Sequence, residues 1–259
     1  WVFNHSGVYS TRRLGAQGLY SLCTDIPREE VRPGDLVFFE KTMGANVKGA
    51  GTDVIRIRGV HKLHGTEYSI IPDQIEAGTF MCAAAITRGD VMVQNVIPKH
   101  LECIGTKLED MGVKIEMYDD SIRVIRNGPL RHTNLKTMPY PGFPTDMHPQ
   151  MAAAMVLADG SSHITEGVWP NRFRYAEELE KMGAHISVFK ETAVIEGVPD
   201  LFGTDVVAHD LRAGAAMVIA GLAAQGVTTV SNIGYVERGY EKLVEKVCGI
   251  GGEMERVNE

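Results

Sequence analysis

Met182-Gly183-Ala184-His185-Ile186 is followed by Thr192-Ala193-Val194-Ile195-Glu196-Gly197, and the same phrase recurs along the chain. Earlier copies begin at Met43 and Met111, at spacings of 68 and 71 residues, and a degraded copy begins at Ile250. The alternation of apolar and polar residues after each glycine is typical of a half-buried strand. Self-similarity at a fixed period indicates an architecture built from internal repeats.

A second pattern precedes each of the last three copies: an aspartate opens a small-residue, apolar stretch and a glycine closes it. These stretches run from Asp73 to Gly89, from Asp146 to Gly160 and from Asp210 to Gly226. Because they are apolar on nearly every face, we expect buried helices. Each is followed by an extended stretch (90–96, 161–168, 227–233) and by an amphipathic helix (99–111, 174–182, 240–248).

Each unit is therefore predicted to run helix–strand–helix–strand–strand. With the apolar helices at the centre and the sheets outside, the fold class is α/β: an inside-out α/β barrel domain of three repeated units, at about 69–128, 129–199 and 200–259. Residues 43–68 are predicted to be the tail of a preceding domain, and residues 1–42 lack the repeat. The chain begins at Trp1 without a methionine, which indicates a fragment of something longer.

Composition excludes several classes of protein. The chain has 259 residues, of which 44% are hydrophobic and 23% charged, which excludes a disordered or collagen-like chain. Four cysteines, none in a CxxC pair, exclude a zinc ribbon and fit a reducing compartment. The net charge of −7 argues against a large nucleic-acid surface, and no apolar run approaches the ~20 residues of a membrane span. His61 and His64 lack acidic neighbours, so we predict no metal site.

Six strings carry a resemblance to a known family: Gly49-Ala50-Gly51-Thr52-Asp53, Pro72-Asp73-Gln74-Ile75-Glu76-Ala77-Gly78-Thr79, Phe143-Pro144-Thr145-Asp146-Met147, Asn171-Arg172-Phe173, Asp210-Leu211-Arg212-Ala213 and Glu237-Arg238-Gly239-Tyr240. In order and spacing they resemble the C-terminal half of the UDP-N-acetylglucosamine 1-carboxyvinyltransferase family of enolpyruvyl transferases, which are EPSP synthase-like. The resemblance implies two inside-out α/β domains with the active site between them. It also implies transfer of the enolpyruvyl group of phosphoenolpyruvate to the 3-hydroxyl of UDP-N-acetylglucosamine in peptidoglycan synthesis, with no cofactor and in the cytoplasm.

Asp146 is the sharpest candidate for a catalytic residue. The matching aspartate of the resembled family contacts the sugar 3-hydroxyl and is the proposed general base, a role that needs an oxygen within hydrogen-bond reach. The alternative is a helix N-cap, because Asp73 and Asp210 occupy the same position in their repeats. From the residues alone, both interpretations stay open.

Four further side chains are candidates for the site. Arg212 lies in the first turn of a helix, where a cation opposes the helix dipole, so we expect a ligand anion or a paired carboxylate, with Asp210 as the alternative partner. The resemblance places Asp210 and Arg212 in the cleft and Arg238 near the phosphate and carboxylate of phosphoenolpyruvate, with Asp210 and Arg238 as catalytic candidates. It also implies that Arg172 is a cleft arginine. Arginine suits these roles because its planar fork binds oxyanions in pairs.

The surroundings of these side chains are also predicted. Val168 matches a residue whose backbone region lines the nucleotide-sugar pocket of the family. Three helix N-termini are expected to converge on one side of the domain, where their free N–H groups favour anions.

Residues 1–42 resemble an internal piece of an NlpC-type cell-wall cysteine peptidase through Arg32-Pro33-Gly34-Asp35-Leu36-Val37-Phe38-Phe39. Cys23 does not open a helix that would activate its thiol, so we expect an ordinary cysteine. Because a repeat tail follows this unrelated sequence, we expect a junction at 42/43. Because the resembled transferase needs its other domain, we expect this chain to bind nucleotide sugar weakly and to be inactive alone. The alternatives are a non-enzymatic nucleotide-sugar or anion-binding module, or a peptidase relative without its nucleophile.

Overall fold

A computed structural model of the protein describes residues 43–49, 54–65, 67, 69–140 and 142–257. The predictions for residues 1–42, among them the peptidase-like segment and Cys23, lie outside the described residues. The described residues divide between Ile71 and Pro72 into two compact units. In the first unit, strands β1 (Asn46–Lys48) and β2 (Arg56–Arg58) pair antiparallel, with Val47 opposite Ile57.

From Pro72 onward, the first two repeats contain the predicted order of helices and strands, with short additional strands between them. The helices and strands after Pro72 are α1 (Gln74–Ile86), β3 (Asp90–Gln94), α2 (Pro98–Asp110), β4 (Lys114–Met117), β5 (Ser121–Ile125), β6 (Leu130–Arg131), β7 (Asn134–Lys136), α3 (His148–Val156), β8 (Ala158–Asp159), β9 (Ser161–Thr165), α4 (Tyr175–Lys181), β10 (His185–Phe189), β11 (Thr192–Glu196), β12 (Asp205–Val207), α5 (Leu211–Ala223), β13 (Thr229–Ser231), α6 (Gly234–Glu237) and α7 (Leu243–Gly249). Two short 3-10 turns, Thr145–Met147 and Arg172–Arg174, precede α3 and α4.

The strands form separate small sheets around the helices. One sheet has the order β3-β5-β4 and is antiparallel throughout. A second has the order β10-β11-β9-β7, in which β7 and β9 are parallel. Two parallel pairs, β6 with β8 and β12 with β13, complete the described sheets.

The apolar helices α1, α3 and α5 pack against one another at the centre. All nine residues of α3 are buried, as are Ala213 to Ala220 of α5. Neighbouring segments also pack closely against them, since a Cβ at Gly78 of α1 would collide with Met147 of the 3-10 turn and Ile104 of α2. Burial on every side explains why these helices carry no polar face. The predicted inside-out α/β fold is confirmed.

The glycine of the repeated phrase has the same conformation in all four copies. Gly44, Gly112, Gly183 and Gly251 have φ values of +78°, +90°, +98° and +94°, in the left-handed region that favours glycine. After α2, α4 and α7 this glycine ends the helix in a Schellman motif; for example, Gly112 N donates to Glu109 O and Val113 N donates to Leu108 O. The recurrence of Met-Gly is therefore a helix-ending signal.

The third repeat differs from the prediction. The first two repeats have two strands after their second helix, whereas no strand follows α7 in the described chain up to Val257. The degraded copy at Ile250 keeps the helix-ending Gly251 but continues with Gly252 and Glu253, residue types that are depleted in strands. None of the helices in the described ranges combines the length and apolar character that crossing a membrane requires.

Candidate active site

Asp146 is held between two arginines. Arg172 Nη2 donates to its Oδ1 at 2.6 Å and Arg212 Nη2 donates to its Oδ2 at 3.1 Å. We call these three residues the Asp146 clamp. The Asp146 side chain is 34% exposed, whereas Arg172 and Arg212 are 12% and 9% exposed, so the carboxylate is the accessible part of the clamp.

The local sequence explains why Asp146 is not a helix cap. Pro144 is extended, a 3-10 turn covers Thr145–Met147, and α3 begins only at His148 with Pro149 in its first turn. Proline is well tolerated there because the first N–H groups of a helix have no partner within the helix. The interpretation of Asp146 as an N-cap is therefore wrong, and its carboxylate is available to the two guanidinium groups.

Asp210 is the N-cap that its repeat position predicts. Its Oδ1 accepts hydrogen bonds from the backbone N–H groups of Arg212 and Ala213, both at 2.8 Å. Its carboxylate thus satisfies the start of α5, and among the described ion pairs the Arg212 guanidinium pairs with Asp146 and not with Asp210. Asp73 caps α1 in the same way through Ile75 N.

Arg212 brings the three helix starts together. Burial by itself would lower the pKa of this guanidinium, but Asp146, Tyr240 and Asp73 raise it overall, so Arg212 stays charged. Its closeness to both aspartates agrees with the predicted convergence of the helix N-termini. Two buried donor atoms of the clamp, Arg172 Nε and Arg212 Nη1, have no hydrogen-bond partner within the described structure. An unsatisfied buried donor costs about 1–3 kcal/mol, so an anionic oxygen would be stabilised here.

A buried chain of polar groups includes Tyr240, one of the residues that raise the pKa of Arg212. The Tyr240 hydroxyl lies 2.8 Å from Thr79 Oγ1, which in turn donates to Ile75 O. Gln150 Nε2 donates to Thr79 Oγ1 at 3.1 Å. Tyr240 therefore anchors the segment after α6 to the central helices, although sequence reasoning assigned it no role.

Val168 lies in a turn fixed by a carboxylate that sequence reasoning missed. The backbone N–H groups of Val168 and Trp169 donate to Glu166 Oε1 at 2.8 and 2.9 Å. Glu166 is buried at the end of β9 and also binds His148. Nothing in the string Thr165-Glu166-Gly167 distinguishes this glutamate from an exposed one, so only its distant partners reveal it.

Arg238 is not brought to the clamp by any described hydrogen bond or ion pair. It is exposed and caps the C-terminal end of the short helix α6. Its assignment to phosphoenolpyruvate stays a prediction. The buried Cys82 is unsuited to nucleophilic chemistry because burial raises the pKa of its thiol to about 12. The described residues contain no cluster of three or more metal-ligating side chains.

Comparison with a family sequence model shows which family the chain belongs to. The sequence model of the family EPSP synthase (3-phosphoshikimate 1-carboxyvinyltransferase) matches residues 28–247, which is most of the chain. The chain belongs to the EPSP synthase family. The match begins inside the segment 1–42 that the sequence interpretation assigned to a peptidase-like piece, and it contains all of the Asp146 clamp.

Curated relatives narrow the comparison within the EPSP synthase family. The chain is 57% identical over 225 residues to UDP-N-acetylglucosamine 1-carboxyvinyltransferase 3 of Caldanaerobacter subterraneus subsp. tengcongensis, covering 87% of this chain and 54% of that protein. It is 52% identical over 223 residues to a protein of the same name from Desulfofundulus thermocisternus, covering 86% of this chain and 92% of that protein. The chain spans about half the length of the first of these relatives.

Solved structures support the EPSP synthase fold. The enolpyruvyl transferase NikO from Streptomyces tendae superposes with a TM-score of 0.75 at 30% identity, over 86% of this chain and 54% of that one. EPSP synthase from Acinetobacter baumannii gives 0.62 at 22% identity, over 83% of this chain and 54% of that one. The second likeness concerns the fold alone.

Proposed function

We propose that this chain forms the nucleotide-sugar side of an enolpyruvyl transfer site. In that reaction, the 3-hydroxyl oxygen of UDP-N-acetylglucosamine bonds to C2 of the enolpyruvyl group of phosphoenolpyruvate, and the bond from C2 to the phosphate oxygen breaks. Phosphate leaves, and the product is a peptidoglycan precursor. The family match supports enolpyruvyl transfer, and the names of the relatives support UDP-N-acetylglucosamine as the acceptor. The protein would act in the cytoplasm, where nucleotide sugars are used.

The Asp146 clamp is the observation that carries the proposal. A carboxylate within hydrogen-bond reach of a hydroxyl can take its proton as the oxygen attacks, and about a third of the Asp146 side chain is open to such a hydroxyl. The two guanidinium groups fix both carboxylate oxygens and keep positive charge beside them. The same charge favours the diphosphate and carboxylate groups of the proposed substrates.

Asp210 and Arg238 complete the proposed site less directly. Asp210 holds the first turn of α5 and so determines where the Arg212 side chain begins. Arg238 is exposed and carries a guanidinium suited to phosphate. In this proposal Val168 lines the nucleotide-sugar pocket through the turn that Glu166 holds.

Calorimetric titration of the full chain with UDP-N-acetylglucosamine tests the proposal. Binding is the quantity to measure because the chain spans about half of its first relative. We expect the wild-type chain to bind and Asp146→Asn to raise the dissociation constant at least tenfold (~1.4 kcal/mol), because the amide offers a single acceptor oxygen and no negative charge to the guanidinium groups and the sugar hydroxyl.

Asp90→Asn is the matched control. Asp90 is also an aspartate held by a guanidinium, with Arg123 at 2.8 and 2.7 Å, but it lies on β3 and outside the clamp. It should bind the nucleotide sugar as the wild type does. A wild-type chain that gives only the heat of dilution, or an Asp146→Asn chain that binds unchanged, would contradict the proposal.

A further inference from the structure

Glu166 accepts hydrogen bonds from three separate segments of the chain. Its Oε1 accepts from Thr137 Oγ1 (2.6 Å), Val168 N (2.8 Å) and Trp169 N (2.9 Å), and its Oε2 accepts from Thr145 Oγ1 (2.9 Å) and His148 Nδ1 (2.8 Å). We call this set the Glu166 network. The Glu166 side chain is only 3% exposed, so it does not itself face a ligand.

The protons of the network can be assigned consistently. Burial lowers the pKa of His148 despite the neighbouring Glu166, so the imidazole is neutral. Its Nε2 accepts from the Tyr175 hydroxyl at 2.8 Å, since burial raises the pKa of that phenol and keeps it protonated. The remaining ring proton is on Nδ1 and donates to Glu166. Burial would raise the pKa of Glu166, but hydrogen bonds from His148, Thr137 and the backbone outweigh it and hold this pKa at about 2.

The Glu166 network contacts the chain at or next to three residues of the candidate site: Asp146, Val168 and Arg172. Thr145 directly precedes Asp146 in the 3-10 turn, and Val168 is bound through its own N–H group. Phe173, next to Arg172, packs its ring edge against His148 with 4.9 Å between centroids. A single buried carboxylate thus fixes the clamp relative to the Val168 turn.

We infer that Glu166 is a positioning residue, which sets the distance between the carboxylate that receives the sugar hydroxyl and the turn that lines the nucleotide-sugar pocket. This inference rests on the proposed function. Preorganised geometry of this kind is maintained by supporting hydrogen bonds behind the groups that meet the ligand. The Glu166→Gln substitution makes it testable because the amide keeps the size of the side chain.

Glu166→Gln is expected to disrupt the hydrogen bonds of Oε2 and to keep those of Oε1. The amide oxygen can take the place of Oε1 and still accept from Thr137, Val168 and Trp169. The NH₂ group then takes the place of Oε2, so His148 Nδ1–H loses its acceptor and the Thr145 hydroxyl can no longer donate there. The turn that carries Asp146 should loosen while the Val168 turn stays in place.

The first test is a double-mutant cycle on UDP-N-acetylglucosamine binding, measured by calorimetry. Glu166→Gln should weaken binding about tenfold, and adding it to Asp146→Asn should weaken binding no further, because Glu166 acts through Asp146. Glu178→Gln is the matched control: Glu178 is equally buried and binds Lys181, His209 and Val207 N, outside the clamp. It should lower stability without changing the dissociation constant. Additive losses, or unchanged binding in Glu166→Gln, would overturn the inference.

A second test needs no ligand and separates this inference from the proposed function. Met147 N donates to Pro144 O at 3.0 Å within the 3-10 turn. Hydrogen exchange at the Met147 amide should be at least tenfold faster in Glu166→Gln than in the wild type. The exchange rate at Trp169 in the same variant, and at Met147 in Glu178→Gln, should equal that of the wild type. Unchanged exchange at Met147 would overturn the positioning role. If the wild-type chain fails to bind the nucleotide sugar while Glu166→Gln still shows this faster exchange, only the proposed function is overturned.

Discussion

Gly197→Ala is expected to destabilise the protein by about 4 kcal/mol or more, because its Cβ has no room. Gly197 follows β11, and its N–H group donates to Gly160 O at 2.9 Å. A Cβ there would overlap the carbonyl oxygen of Ala158 and lie 3.1 Å from Gly160 O. Both atoms are backbone, so no flexible side chain can move aside. The strain would separate β11 from the chain around β8, which leads into β9, the strand directly before Glu166.

Urea unfolding followed by circular dichroism measures this effect, with Gly128→Ala as the control. Gly128 is exposed, and a Cβ there meets nothing within 4 Å. Replacing it should change the free energy of unfolding by about 0.5 kcal/mol or less. Equal stability of the two variants would contradict the close contact between Gly197 and the Ala158 carbonyl oxygen.

Acidification is expected to remove about 3 kcal/mol of unfolding free energy through Glu166. Its pKa is about 2 in the folded protein against an ordinary value of 4.5, so the unfolded chain binds this proton first as the pH falls. The stabilisation is fully present above about pH 5 and is lost as the pH falls towards 2, at ~1.4 kcal/mol per pH unit. His148 acts in the same direction: its folded pKa is lowered, so the unfolded chain takes up that proton first below its ordinary value of 6.5.

The pH dependence of urea unfolding in Glu166→Gln tests this assignment. The variant should be less stable than the wild type near pH 7 but should lose less stability between pH 5 and pH 2. Glu109→Gln, on an exposed position of α2, should keep the wild-type slope. Parallel curves for the wild type and Glu166→Gln would contradict the low pKa of Glu166.

Much of the fold follows from local signals in the sequence. The glycine after Met111 or Met182 must take a positive φ to end its helix, so it recurs wherever the unit repeats. The central helices are predictable because burial on all sides removes any polar face. The strands missing after α7 show the limit of this argument, since a repeat can keep its helix-ending glycine and lose the alternation that follows it.

The candidate site was less predictable because its contacts join distant positions. Asp146 and Arg212 are 66 residues apart, and no local periodicity relates them. The shared repeat position suggested the same role for three aspartates. Asp73 and Asp210 are N-caps, but the 3-10 turn and Pro149 move the start of α3 beyond Asp146, so Asp146 is not one. Glu166 carries no sequence signal, because its five donors come from three separate segments of the chain.

The most direct test of the account is a nuclear magnetic resonance titration of the ¹⁵N-labelled chain with UDP-N-acetylglucosamine. If the Asp146 clamp and the Val168 turn form the nucleotide-sugar site, the largest amide shifts will occur at Asp146, Val168 and Arg172, and Asp146→Asn will move their titration midpoint to at least tenfold higher ligand concentration. Shifts that cluster elsewhere, such as on the sheet β3-β5-β4, or a spectrum that does not change at millimolar ligand, would contradict it.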